Sequence, residues 1–280
     1  MKSKQFALGI GVLILFSTGC DKLRSRDALN RGVQAYKGAK YAEAVEFFNQ
    51  AVRLDPSNPM GRLYLATAYM SQYIPGAESA DNLQLAKQAR EEFMKVLDQK
   101  PNDTTALASL ASLSYQQAQG MPDLEAKLKK LDDAKDWYVK LIAADPQNKE
   151  AFYSLAVIDW VKWYAAWMKT RADLGMKPED RGPLKDKKAK EDLQGKYAAI
   201  VDDGLKNLQT ALNIDPNYDD AMAYMNLLIR EKADLDDSPD QYQKDIDTAE
   251  KWVQKALDTK KMKLAKAAAA TQGGITTESK

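Results

Sequence analysis

The chain has 280 residues, 45% hydrophobic and 29% charged, a balance expected of a folded body built as one large domain or a repeat array. Its net charge is +1, and without Lys2 and Lys4 in the leading segment 39 basic residues face 40 acidic ones, so no global charge draws it to nucleic acid. With no histidine, the usual general base and the commonest metal ligand are missing, and with Cys20 as the only cysteine no internal disulfide forms.

"MKSKQFALGIGVLILFSTGC" opens with two lysines, runs apolar from Phe6 to Phe16 and ends in small residues. Residues 1–19 read as a secretory signal, too short for a comfortable membrane span. The single cysteine stands where cleavage falls. The segment resembles a bacterial lipoprotein signal, in which that cysteine becomes the lipidated N-terminus. Thr18 and Gly19 suit the lipobox, and Ser17 departs from it, because an aliphatic residue is usual there. The resemblance implies lipidation of Cys20 and a body anchored on the periplasmic side of a bacterial envelope membrane. Asp21 resembles an inner-membrane retention signal, under a rule that varies among bacteria, so inner versus outer membrane stays open. Residues 20–24 read as a short tether, roughly 17 Å when extended.

Four loops then read alike: "LDPSN" at Leu54, "QKPND" at Gln99, "ADPQN" at Ala144 and "IDPNY" at Ile214. Their prolines, Pro56, Pro101, Pro146 and Pro216, each stop a helix, and the first three are 45 residues apart. Before each lies the same helical face: Ala44, Phe48, Ala51; Ala89, Phe93, Val96; Ala134, Tyr138, Leu141; Gly204, Leu208, Ala211. A fifth set, Ala249, Val253 and Ala256, reaches Lys261 where proline is expected. A second helix precedes each of these, with a small or modest residue at Gly32, Ala66, Ala111, Ala156 or Asn226.

This pairing, clearest in "AKYAEAVEFFNQAVRLDPSN", resembles the tetratricopeptide repeat, although the family's tryptophan near the start of helix A is absent throughout. The resemblance implies an all-α fold, a right-handed superhelix of antiparallel helix pairs, that is, a tetratricopeptide-like α-solenoid. Five repeats occupy 25–262, as 25–58, 59–103, 104–148, 149–218 and 219–262, with a flexible tail at 263–280. From the small residue of helix A to that of helix B is 12 residues in repeat one, 23 in repeats two, three and five, and 48 in repeat four. Eleven extra residues make about three helical turns, so both arms of a hairpin can lengthen in phase. Repeat four is expected to carry an elongated hairpin standing out by about 19 Å. "MPDLE" from Met121 and "SPDQ" from Ser238 start helices.

No catalytic constellation emerges. Serine or cysteine pairs with histidine are impossible, and no Gly-rich phosphate loop occurs. "DLDDSPDQ" from Asp234 lacks the sixth-position glycine and the closing glutamate of a calcium loop, and reads as a loop plus a helix N-cap. No metal or other cofactor is expected. What remains is surface. The resemblance implies that helix A of each repeat lines a groove for peptides or protein segments. By position that groove takes in Tyr36, Met70, Tyr115, Tyr153 and Trp160, a row apolar and aromatic rather than basic, unlike the family's carboxylate clamps. Packing against the next repeat is the competing role for each. A second candidate is the tip of the long hairpin, where Lys185, Lys187 and Lys188 head a segment, Gly175–Lys190, of local charge +3 that suits anionic head groups or is simply a solvated loop.

The resulting expectation is a non-enzymatic, membrane-anchored adaptor that holds protein or peptide partners in the envelope, with self-association open. The alternative is a lipoprotein of the same fold enclosing an apolar small molecule for a transporter. One stretch sharpens the choice. "DWVKWYAAWMKT" places Trp160, Trp163 and Trp167 on one helical stripe. Relative to Ala156, Trp163 and Trp167 face helix B, opposite Leu193, Tyr197, Ile200 and Leu205, and read as core. Trp160 turns toward the groove with Tyr153 and Tyr164 as a separate aromatic row.

Overall fold

The computed structural model describes residues 4–177 and 179–273, with side chains over 20–177 and 179–269. Among them it is all-α: α1 Lys4–Lys37, α2 Tyr41–Leu54, α3 Pro59–Met70, α4 Ala80–Gln99, α5 Thr104–Gln119, α6 Leu124–Ala144, α7 Lys149–Asp173, α8 Lys187–Ile214, α9 Asp219–Lys232, a 3-10 turn Ala233–Leu235, and α10 Pro239–Gly273. The chain forms two compact units, Met1–Ala144 and Asp145–Lys280, so three helix pairs belong to the first and two to the second. No helix, among the described residues, is long and apolar enough to cross a membrane.

The recurring loop has a local cause. Asp55 and Asp215 end their helices with backbone N–H bonds to Ala51 and Ala211, and proline follows. Asn58, Asp103 and Asn148 then cap the next helix, accepting from the N–H groups of Met60, Ala106 and Ala151 at 3.0 Å each. The last residue of the loop signature is therefore an N-cap; at the fourth loop Tyr218 occupies it without a side-chain cap.

In the first unit, α1/α2, α3/α4 and α5/α6 pack as antiparallel pairs. Their seams bury the expected faces: Ala44, Phe48, Ala51, Ala89, Phe93, Val96, Ala134 and Leu141. Each buried phenylalanine contributes about 1.5–3 kcal/mol relative to exposure. Gly32 is small because a Cβ there would come within 2.4 Å of the Phe48 ring. In α6 the expected Tyr138 is only half-buried, and Trp137, one residue earlier, fills the seam beneath Arg90 and Lys140.

The inserted residues do not lengthen both arms in every repeat. α3 has 12 residues and α9 14, while their partners α4 and α10 have 20 and 35. In repeat two the remainder forms a loop pinned by buried Asn82, which accepts from Ile74 N–H and donates to the carbonyls of Ile74 and Ala77. That loop meets the α5–α6 turn at glycines: a Cβ on Gly120 would lie 2.4 Å from the Gly76 nitrogen, and Gly76 itself has φ of 81°. Repeat four does lengthen both arms, to 25 and 28 residues. Its connecting segment, however, does not stand free. Leu184 N–H donates to the Asp234 carbonyl and Gly182 N–H to the Tyr242 hydroxyl, so the segment lies on repeat five.

Three further expectations change. Residues 20–24 are helical within α1 rather than an extended tether. α10 continues past residue 262 to Gly273; the rest of the tail, and the side chains of Ser17, Thr18 and Gly19, lie outside the described residues. Of the fifth set, Ala249 is buried while Val253 and Ala256 are half-buried. Asn226 is likewise half-buried.

Candidate functional site

α7 distributes its aromatic residues as its helical phase dictates. Trp163 is fully buried against Tyr197, ring centroids 6.3 Å apart, and Trp167 is buried beside it, with Leu193 and Val201 in the same core. Ile200, expected in that row, is half-buried and yields its place to Val201. On the other side Tyr153, Trp160 and Tyr164 are drawn into one strip by Tyr218, the N-cap residue of α9, and by Tyr224 within α9. The ring centroids step from Tyr218 to Tyr153 (5.2 Å), Tyr153 to Tyr224 (5.5 Å), Tyr224 to Trp160 (5.3 Å) and Trp160 to Tyr164 (4.9 Å). The contacts at Tyr224 are edge-to-face and the last is stacked, both favourable aromatic geometries. Tyr164 is 37% exposed and the others are half-buried.

Beneath the strip runs an acidic ladder. Trp160 Nε1 donates to Glu231 Oε1 at 3.1 Å. One turn on, Trp167 Nε1 donates to Asp234 Oδ2 at 2.8 Å, and Arg171 Nη1 donates to the same oxygen at 2.5 Å. The other arm of the Arg171 guanidinium, Nη2, donates to the carbonyls of Lys177 and Asp180. Arg171 is thus a buried clamp: it joins α7, the connecting segment of repeat four and the 3-10 turn of repeat five. Burial pushes the Glu231 carboxyl up to about 7, against the pull of the Trp160 and Trp163 indoles. Burial likewise pushes Asp234 up, opposed by Trp167 and Arg171. At the other end of the strip, Lys149 Nζ bonds Asp215 at 2.6 Å and stands 4.9 Å from the Tyr218 ring centre. That bond raises the pKa of Lys149 and lowers that of Asp215. Desolvation, followed by the field of Glu150, Asp220, Asp215 and Asp219, raises the Tyr218 hydroxyl.

Of the groove residues expected from sequence, Tyr153, Trp160 and Tyr164 come together. Tyr36, Met70 and Tyr115 lie half-buried in the first unit. Tyr36 hydrogen-bonds Ser71 at 2.8 Å and its ring meets Tyr41, whereas burial raises the Tyr115 hydroxyl. Lys185, Lys187 and Lys188 are exposed, Lys187 lying 3.7 Å from Glu191. Cys20 is an exposed free thiol. "DLDDSPDQ" is divided among structural tasks: Asp234 in the clamp, the Asp236 carbonyl on Lys190, and Ser238 Oγ accepting from Gln241 N–H. No cluster of three or more candidate metal ligands occurs among the described residues. Sequence reasoning missed Tyr218, Tyr224, Glu231 and Arg171. For Arg171 a signal existed, a charge four residues after Trp167 on the same helix; Glu231 lies on α9, and only the fold brings it to Trp160.

A tetratricopeptide-repeat family model matches residues 35–58, the end of α1, the whole of α2 and the loop that follows it. The chain has the tetratricopeptide-repeat fold. Among solved structures sharing this tetratricopeptide-type architecture, a MamA protein is 16% identical with a TM-score of 0.53, over 86% of this chain and 94% of that one. MamA residues 41–end from Desulfovibrio magneticus RS-1 is 15% identical with a TM-score of 0.50, over 85% and 96%. At these identities the likeness concerns the fold. No match was found among curated proteins.

Proposed function

We propose that the protein is a non-enzymatic adaptor that holds partner proteins on the helix A face of its repeats, anchored through lipidated Cys20 to a bacterial envelope membrane. The tetratricopeptide-repeat fold supports an interaction scaffold, since repeats of this kind present extended side-chain surfaces. The observation that carries the reading is the strip Tyr218–Tyr153–Tyr224–Trp160–Tyr164, aromatic surface left on the A helices after Trp163 and Trp167 have filled the core. Anchoring rests on the lipoprotein-like signal and on the exposed thiol of Cys20. Affinity capture from envelope extract tests the adaptor reading: defined partners should be recovered with the native chain and lost with Tyr153→Leu. Capture unaffected by that substitution overturns it. Labelled palmitate should enter the native chain and not Cys20→Ala; incorporation that survives the substitution removes the anchor.

A further inference from the structure

We infer that the aromatic strip of the second unit binds an extended, cationic segment of its partner, one bearing arginine or lysine; this rests on the adaptor reading above. Five ring systems line α7 and the start of α9 in four steps of 4.9–5.5 Å, tilted at Tyr218–Tyr153, edge to face at Tyr224 and stacked at Trp160–Tyr164. Roughly six residues of extended chain cover that span. The faces of such rings carry negative potential and attract ammonium and guanidinium groups. Tyr218 already shows the behaviour, with Lys149 Nζ 4.9 Å from its centre.

The charges around the strip have the matching sign. Glu150, Asp215, Asp219 and Asp220 all bear on Tyr218. Of the cations near this surface, Lys149 pairs with Asp215 and Glu150, Lys263 pairs with Asp219, Arg230 Nε bonds Asn226 Oδ1 at 3.4 Å, and Lys260 also bears on Asp219. The Glu150 side chain is 64% exposed and Asp220 is exposed, so two carboxylates at the Tyr218 end face solvent beside aromatic rings. An acidic segment would meet repulsion there and no basic row to answer it. A cationic segment would place one charge between the carboxylates of Glu150 and Asp220 and others over the rings toward Tyr164.

The test uses the full chain and three fluorescein-labelled peptides of equal length in one Gly/Ser/Pro frame, carrying arginine, glutamine or glutamate at the same positions, read by fluorescence anisotropy. The arginine peptide should bind about tenfold or more tighter than the glutamine peptide, the factor that one or two cation–π contacts supply. The glutamate peptide should bind least, and the arginine affinity should fall with salt. Glu150→Gln with Asp220→Asn, both surface changes that leave packing intact, should weaken the arginine peptide several-fold. Tyr164→Ala should weaken it at low and high salt alike. Equal binding of the three peptides, binding of none, or an arginine affinity unmoved by the double substitution overturns the inference. If envelope partners are still captured through Tyr153 in that case, the adaptor reading stands and only the charge assignment falls; if no partner depends on the strip, the adaptor reading fails as well.

Discussion

The two units build the same helix pairs with different interiors. Among the described residues, the buried polar side chains of the first unit are neutral, Ser25, Asn82 and Ser114, whereas the second buries Asp159, Arg171, Glu231 and Asp234. The first unit's seams set an alanine beside large apolar side chains on one helical face, repeated every 45 residues, and its long connecting loop is closed by one amide, that of Asn82. The second has to hold a connecting segment that no periodic apolar row covers. It does so with charge: the guanidinium of Arg171 binds two carbonyls of that segment and the carboxylate of Asp234 together. Apolar seams tile, while a buried ion pair fixes one non-repeating segment in one place, through directional bonds that fail when either partner is lost.

The largest expected effect breaks that pair. Arg171→Met leaves Asp234 buried without its cation and should cost about 3–5 kcal/mol in urea unfolding of the full chain. Arg62→Met, which opens the half-buried Arg62–Glu92 pair of the first unit (2.9 Å), should cost about 1 kcal/mol. Adding Asp234→Asn to Arg171→Met should recover part of the loss. Equal costs for the two arginine substitutions would show that the second unit does not depend on its buried charge.

Next come the large side chains at equivalent seams. Trp163→Ala and Phe93→Ala each empty a fully buried site and should each cost about 3–5 kcal/mol, one in either unit. Trp160→Ala, from a half-buried position with one hydrogen bond, should cost about 1–3 kcal/mol and reduce partner capture. The reverse order for Trp160 and Trp163, measured by thermal melts and capture together, would mean that the strip is core.

The contrast between units also explains what could be read from sequence. A small residue followed four later by a large apolar one recurs before each proline, so the seams of Phe48, Phe93 and Leu208 followed directly from that pattern. Trp163 and Trp167 were separable from Trp160 by helical phase alone. Tyr224 and Tyr218 were hidden because their place in the strip depends on how α9 lies against α7, which no local period encodes. Arg171 and Asp234 look like ordinary solvated charges 63 residues apart. Only the fold brings them together, and the same pairing lays down a connecting segment that spacing alone would have left standing in solvent.

Glu231 gives a smaller effect with a definite sign. Its folded-state pKa is raised from 4.5 to about 7, so between those values the folded chain holds a proton that the unfolded chain has released. Stability from this group therefore falls as pH rises through that window and stays low above it. Glu231→Gln keeps an acceptor for Trp160 and removes the buried charge. It should stabilise the chain by about 1–3 kcal/mol at about pH 8 and change little near pH 4. A first-unit change such as Glu92→Gln should not reproduce this profile. A Glu231→Gln effect equal at both pH values would mean that the carboxyl does not titrate in the folded state.

The smallest effect on stability belongs to the lysines at the end of the repeat-four hairpin. Lys185, Lys187 and Lys188 are exposed, and the ion pair of Lys187 with Glu191 at 3.7 Å is itself on the surface. Their combined replacement by alanine should shift unfolding by less than about 0.5 kcal/mol, because screened surface charges contribute little and the segment they decorate is held by Arg171, Leu184 and Gly182 rather than by them. Sedimentation with vesicles of neutral or anionic lipid then reads their charge in isolation, with lipidation blocked by Cys20→Ala. Loss of anionic-vesicle binding in the triple variant, at unchanged stability, would assign the tip to the membrane; no difference from the unsubstituted tip would leave these lysines as a solvated edge, with the aromatic strip as the working surface of the second unit.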